Sequence, residues 1–180
     1  TITPAILRNL LAFIQGKHPE YLPALVLSTF CGLRRGEVHG QQWDHIDLVG
    51  RTLTVSKAKE GTPAERAVPL PRAAVAWLMK CGDRTENVCA NLSVDRIRDI
   101  GRTANMDLPE NCFRHSFITY RCKLTTVAQV ADEAGNSPNI IRKHYRNVLQ
   151  DNRPMRKVEA KTWFESRPDL CGELIPMEQG

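Results

Sequence analysis

The chain of 180 residues has no apolar run of the ~18 residues that a membrane-crossing helix needs. Its first residues also lack the basic start and apolar stretch of a secretory leader. The compact signatures of familiar catalytic sites are missing as well. There is no Gly-x-Ser-x-Gly elbow, no phosphate-binding P-loop, no His-Glu-x-x-His zinc pair and no dinucleotide-binding glycine triplet. Acidic residues are not paired in the manner of a two-metal nuclease. The six cysteines, Cys31, Cys81, Cys89, Cys112, Cys122 and Cys171, include no Cys-x-x-Cys pair, which argues against a zinc ribbon or a thiol redox couple. Cys31 in STFCGL and Cys122 in TYRCKL stand among apolar neighbours, as reduced, buried thiols of a cytoplasmic protein do. Repeats and low-complexity stretches are absent.

What is present is ordinary globular composition, 42% hydrophobic and 25% charged, which excludes a disordered chain and fits one domain of this length. The net charge is +5. Residues 151–180 hold five basic against six acidic side chains, so the positive field belongs to residues 1–150. An excess of that size suits an anionic partner such as nucleic acid without demanding one.

The periodicity predicts a mainly helical protein with one small sheet. Thr3-Pro4 reads as a cap and first turn ahead of Ile6, Leu7, Leu10, Leu11 and Ile14, closed by Gly16. A second helix, apolar on nearly all sides, is expected from Pro19 to Gly32, and a short third one over RGEVHGQQW. IDLVGRTLTVS alternates and breaks at Val49-Gly50, as two strands around a tight turn do, and RAVPL reads as a third strand. Helices follow over RAAVAWLMKCG, SVDRIRDIGRTAN (starting near Ser93 and Asp95), NCFRHSFITYRCK, TTVAQVADEAG (capped by Thr125), SPNIIRKHY and RPMRKVEAKTWFES.

Three clusters are rich in groups that bind phosphate. CGLRRGEV sets Arg34 and Arg35 at the end of an apolar helix, with Glu37 just beyond. A guanidinium there needs an anion; a phosphate matches its fork, and pairing of Arg34 with Glu37 is the other reading. SKAKEG carries Lys57 and Lys59 on a loop between strands, in reach of a groove or simply solvated. ENCFRHSFITY carries Arg114 and His115, and further on RKHYRNV surrounds Tyr145 with Arg142, Lys143, His144 and Arg146. Tyr145 reads either as an aromatic anchor at a helix end or as a hydroxyl held beside a phosphate.

In this order the clusters resemble the sequence boxes of the tyrosine recombinase (phage integrase) family. TFCGLRRGEVHGQQWDHIDL is similar to its first arginine box and KAKEGTPAERAVPL to its lysine hairpin. LPENCFRHSF is similar to the box usually written His-x-x-Arg-His, and EAGNSPNIIRKHYRNV to the segment from a Gly-His pair to the nucleophilic tyrosine; together they cover about residues 20–150. The resemblance implies an α+β, mainly α, catalytic domain with a three-stranded antiparallel sheet over residues 1–150. It implies a tail over 151–180 whose Trp163, Phe164 and Leu170 either dock on a neighbouring protomer or pack on their own body. The family's N-terminal core-binding domain is expected to be absent.

The implied activity is site-specific DNA cleavage and rejoining through a 3′-phosphotyrosine. Arg34 and Arg114 then clamp the scissile phosphate, Tyr145 attacks it, and Lys59 (or Lys57) protonates the leaving oxygen. Glu37 supports the site and His115 braces it. Arg35, Lys57, Arg66, Arg142 and Lys143 are expected along the DNA or on a solvated face. The implied partner is double-stranded DNA, bound by four protomers on two paired sites and by a monomer otherwise, in the cytoplasm of a bacterium or its phage. No metal or cofactor is called for. Asn111 and Asn136 depart from the family, standing where His, and His or Trp, are usual. Asparagine donates a hydrogen bond to a phosphate oxygen but carries neither proton nor charge. The resemblance therefore leaves open a slower enzyme, a DNA-binding relative without chemistry, and a supercoil-relaxing topoisomerase that uses the same tyrosine reaction.

Overall fold

The computed structural model describes residues 1–56, 65–82, 84, 87–89 and 94–171; Lys57, Lys59 and Ser93 lie outside them. The first helix, α1 (Pro4–Lys17), starts where the Thr3 hydroxyl accepts the N–H of Ile6 and proline occupies the first turn. It buries Leu7, Leu10, Leu11 and Ile14. The single helix expected from Pro19 to Gly32 is divided. One 3₁₀ turn (Pro19–Tyr21) precedes α2 (Leu22–Phe30), every residue of which is buried. Its exit at Gly32 has φ +64°, and a Cβ there would lie 2.2 Å from the Phe117 ring, so both conformation and space require glycine.

After α3 (Arg35–His39) the chain forms β1 (Ile46–Asp47), β2 (Thr52–Ser56) and β3 (Glu65–Pro69), antiparallel in that order. The first turn is built by Asp47, whose Oδ1 accepts the N–H groups of Val49 and Gly50 at 3.0 and 2.7 Å. Leu53 faces Ile46 on one neighbour and Val68 on the other, and these three turn inward with Val55.

The remaining helices are α4 (Arg72–Leu78), α5 (Val94–Thr103), α6 (Cys112–Arg121), α7 (Val127–Ala134), α8 (Pro138–His144), α9 (Arg146–Gln150) and α10 (Pro154–Phe164). The cap of α7 is Thr126, whose hydroxyl accepts the N–H of Gln129, and not Thr125, whose hydroxyl is engaged by the Gln129 side chain. Helix α9 was not expected. No glycine or proline announces the break in RKHYRNV; Tyr145 alone leaves helical geometry, at φ −117° and ψ 22°. No helix among the described residues is long and apolar enough to cross a membrane.

Two apolar clusters result. The larger joins α1, α2, α4, α5, the sheet and α10, and the smaller joins Phe117 and Ile118 of α6 to Val130, Ala131, Ala134, Ile141 and Tyr145. Helix α6 contributes to both. Of the two readings of the tail, Trp163 and Phe164 pack on their own body, while Leu170 stays exposed. Trp163 is fully buried, donates Nε1–H to the Thr29 carbonyl at 3.1 Å and lies 4.8 Å from the Tyr120 ring. Trp163→Ala should therefore cost about 3–5 kcal/mol of folding stability in a denaturant titration. A tryptophan held for an external partner would leave the isolated chain nearly unaffected.

Candidate functional site

Helix α7 ends at Gly135, in left-handed geometry at φ +62°. The last carbonyls of a helix have no partner within it and carry the negative end of its dipole. Three arginines from three elements take them. Arg66 of β3 donates Nε–H to the Glu133 carbonyl at 3.0 Å, Arg114 of α6 donates to Ala134 at 2.7 Å, and Arg34 donates to Gly135 at 2.5 Å. Arg114 is held a second time by the Gly32 carbonyl. A Cβ at Gly135 would stand 2.9 Å from the Arg66 guanidinium and 3.2 Å from that of Arg34, so the arginines crowd in only because the residue is glycine.

Glu37 organises the same arginines from the opposite side. Its carboxylate is 2% exposed and receives both Arg66 terminal nitrogens at 2.8 and 2.9 Å, Arg34 Nη1 at 3.0 Å, and the Arg34 backbone N–H at 2.7 Å. Burial by itself would raise the carboxyl pKa; the hydrogen bonds from Arg66 and from the Arg34 backbone, with both positive charges, hold it below its ordinary value. Arg66 was expected along the DNA or on a solvated face. Its side chain is 17% exposed and its fork is spent on Glu37, so it braces Arg34 and does not form part of an open basic face.

Arg34 itself is half exposed, and Asn136 Oδ1 accepts from its Nη2 at 2.8 Å. That bond leaves the two amide hydrogens of Asn136 to a ligand. Arg114 is pushed down to about 10 by burial and then by Arg34, and stays charged at neutral pH. Arg34, Asn111, Arg114, His115, Asn136 and Tyr145 all line one cavity of about 620 Å³. Asn111 heads α6 at φ +53°, a left-handed conformation that asparagine tolerates better than most residues, and its side chain caps no helix N–H. Arg35 is exposed and meets Asp95 of α5 at 2.6 Å, and Arg142 and Lys143 are exposed on α8.

Tyr145 is buried except for its edge on the cavity, and its hydroxyl lies 2.7 Å from His115 Nδ1. Burial pushes the phenol up to about 12, with Arg114 opposing and Cys122 adding. Burial, with Arg114 and His144, holds His115 below its ordinary pKa. Sequence reading placed His115 as a brace; the contact with Tyr145 is direct. Two further features gave no sequence signal. Arg121 grips the Glu133 carboxylate with two bonds of 2.8 and 2.7 Å, locking α6 to α7, and the buried Ser28 hydroxyl on the cavity wall has no hydrogen-bond partner among the described residues. Only a three-dimensional arrangement reveals either.

No family sequence model matches this chain, and no curated protein aligns with it. Solved structures do share its architecture. XerA recombinase superposes with a TM-score of 0.66 at 14% identity, over 93% of this chain and 65% of that one. The fold is that of a tyrosine recombinase catalytic domain. The integrase of the Tn1549 transposon, in complex with transposon right-end DNA, gives 0.62 at 16% identity, over 85% of this chain and 61% of the other. The integrase from mycobacterium phage Brujita gives 0.58 at 17% identity, over 97% and 62%. This chain thus spans less than two thirds of each of these recombinases and integrases, and the likeness is one of fold.

Glu37→Gln removes the charge that balances Arg34 and Arg66 in this buried cluster, and is expected to cost about 3–5 kcal/mol at pH 7. Because the folded carboxyl titrates below its ordinary 4.5, its contribution is complete above that pH and is lost as pH falls through the folded value. Unfolding titrations of the two proteins should therefore converge as pH is lowered below 4.5.

Proposed function

We propose that the chain is the catalytic part of a site-specific DNA recombinase, in which Tyr145 attacks a backbone phosphate held by Arg34 and Arg114. The observation that carries this reading is the cavity itself: two charged arginine forks with unspent N–H groups, two asparagine amides and a tyrosine hydroxyl on one wall. A phosphodiester repels nucleophiles through its charge, and prealigned guanidinium groups stabilise the extra charge of the transition state. Comparable arginines contribute roughly 10³–10⁵ in rate to other phosphoryl transfers.

Attack by the Tyr145 oxygen forms a bond to phosphorus and breaks the bond to the 5′ oxygen, giving a 3′-phosphotyrosine and a free 5′-hydroxyl. The covalent link conserves the phosphodiester bond, so a 5′-hydroxyl from another strand reverses the step without a nucleotide cofactor. Asn111 and Asn136 serve here as hydrogen-bond donors to non-bridging oxygens. By resemblance, Lys59, with Lys57 as the alternative, supplies the proton to the leaving oxygen. Exposed Arg35, Arg142 and Lys143 extend the positive surface around the cavity and would follow the duplex backbone. One of the structural relatives is an integrase bound to DNA, which supports a duplex as the partner. Four protomers on two paired sites is the assembly that strand exchange calls for.

Covalent capture tests this reading. The chain is incubated with fragmented bacterial and phage DNA and denatured, and the protein-linked DNA is recovered and sequenced. Adducts should map to a defined sequence, disappear in Tyr145→Phe without loss of DNA binding, and fall by roughly 10³–10⁵ in Arg34→Ala or Arg114→Ala. Binding without adducts would identify a DNA-binding relative that lacks the chemistry. Binding should weaken steeply with salt, since each phosphate contact releases a counterion.

A further inference from the structure

We infer that His115 takes the proton of Tyr145 as the tyrosine oxygen attacks phosphorus, which makes it a catalytic residue and not a brace. This rests on the nucleophile reading above. The Tyr145 hydroxyl is 2.7 Å from His115 Nδ1, and the two rings lie 5.7 Å apart on the wall of the cavity. That is the distance at which a general base works. Asn111, at the position where the resembling box carries histidine, has no site that binds a proton at neutral pH. Asp95, Glu110 and His144 also line the cavity, but Asp95 is paired with Arg35, and the hydrogen-bond partner of the Tyr145 hydroxyl is His115.

The surroundings keep His115 a base. The groups around it are the Arg114 guanidinium on its own helix, His144 at the end of α8 and the Tyr145 hydroxyl. The positive groups among these, together with partial burial, disfavour an imidazolium, so at neutral pH the ring is uncharged, and in its Nε2–H tautomer Nδ1 presents a lone pair to the Tyr145 hydroxyl. With phosphate bound, the proton passes from the tyrosine oxygen to Nδ1, the oxygen–phosphorus bond forms, and the bond to the 5′ oxygen breaks. The leaving oxygen takes its proton from a different acid, the lysine assigned by resemblance. On rejoining, the imidazolium returns its proton to the departing tyrosine oxygen, which restores both groups.

The test measures single-turnover cleavage of the captured DNA sequence by wild type, His115→Gln, His115→Ala and Tyr145→Phe. Wild-type cleavage should fall on the acid side, with a midpoint below the ordinary 6.5 of histidine. Both His115 variants should bind DNA unchanged, cleave roughly 10²–10⁴-fold more slowly and lose that acid limb. Added imidazole should restore part of the rate to His115→Ala. A substrate with sulfur at the 5′ bridging position leaves as a thiolate and needs no proton. The His115 defect should persist with it, because the missing proton transfer is on the nucleophile's side. Full activity in His115→Gln, or a defect that vanishes with the sulfur substrate, would overturn the inference while leaving the nucleophile intact. Adduct formation by Tyr145→Phe, or none by wild type, would overturn the nucleophile reading and this inference with it.

Discussion

The end of helix α7 is the constraint on which the site depends. Three consecutive carbonyls, those of Glu133, Ala134 and Gly135, are each claimed by a different arginine: Arg66 from the sheet, Arg114 from α6 and Arg34 from the loop after α2. Unpaired carbonyls at a buried helix end are unfavourable, and so are guanidinium groups brought together without counter-charges. Each problem offsets the other here, and Glu37 supplies the one full negative charge that the carbonyl dipoles lack. The arrangement sorts the arginines by role. Arg66 is consumed, with both terminal nitrogens on Glu37, whereas Arg34 and Arg114 keep hydrogens that no group among the described residues takes. A phosphate arriving in the cavity would complete a coordination that the fold has left partly open.

The electrostatics of Tyr145, the proposed nucleophile, run against it at rest. A phenol near 12 is ionised in only about one molecule in 10⁵ at pH 7, so in the proposed reaction Tyr145 would lose its proton during attack and not before. The positive charges nearby do not remove this requirement. Burial outweighs Arg114 in the resting protein, and in the proposed reaction the arginines would act fully only on the negative charge of a bound phosphate. Burial and the positive charges that disfavour an imidazolium at His115 would, in the proposed reaction, be offset by the negative charge that grows on the phosphate in the transition state. A resting site that is electrically mismatched, and matched only when the substrate reacts, is the physical form of differential binding.

Much of this was legible in the residues, and the illegible part has a common cause. Local signals carried well: Thr3-Pro4 starts α1, alternation across IDLVGRTLTVS marks β1 and β2, and the fully apolar α2 is the buried axis. The order of the arginine boxes and Tyr145 located the cavity wall, and Arg34, Arg114, Asn111, Asn136, His115 and Tyr145 do come together. What failed is long-range. Arg66 looks like any strand arginine until β3 is seen against α7, and the difference between a DNA contact and a buried brace is decided by Glu37, twenty-nine residues away in the chain. His115 looked like support because its position in a helix says nothing about which hydroxyl it meets. The break at Tyr145 was silent because a tertiary pocket, and not a glycine or proline, pulls the residue out of the helix.

Fold and site share one seam. Helix α6 lends Cys112, Phe113 and Tyr120 to the larger apolar cluster and Phe117 and Ile118 to the smaller, with Arg114 on the same helix. Tyr145 belongs to the smaller cluster, while Arg34 follows the end of α2 in the larger. The distance between Tyr145 and the arginine pair, the proposed nucleophile and phosphate clamp, is therefore set by how one cluster sits on the other. That docking is made by the Phe117 ring against Gly32, by Arg121 on Glu133, and by the arginines that close α7. Lys123, just beyond α6, fixes the far side by donating to the carbonyls of Val148 and Asp151 at the end of α9, the helix that begins at Tyr145. The contacts that hold the two halves together are thus largely those that align Tyr145 with Arg34 and Arg114, so under the proposed function a substitution that loosens the seam should cost activity before it costs the fold.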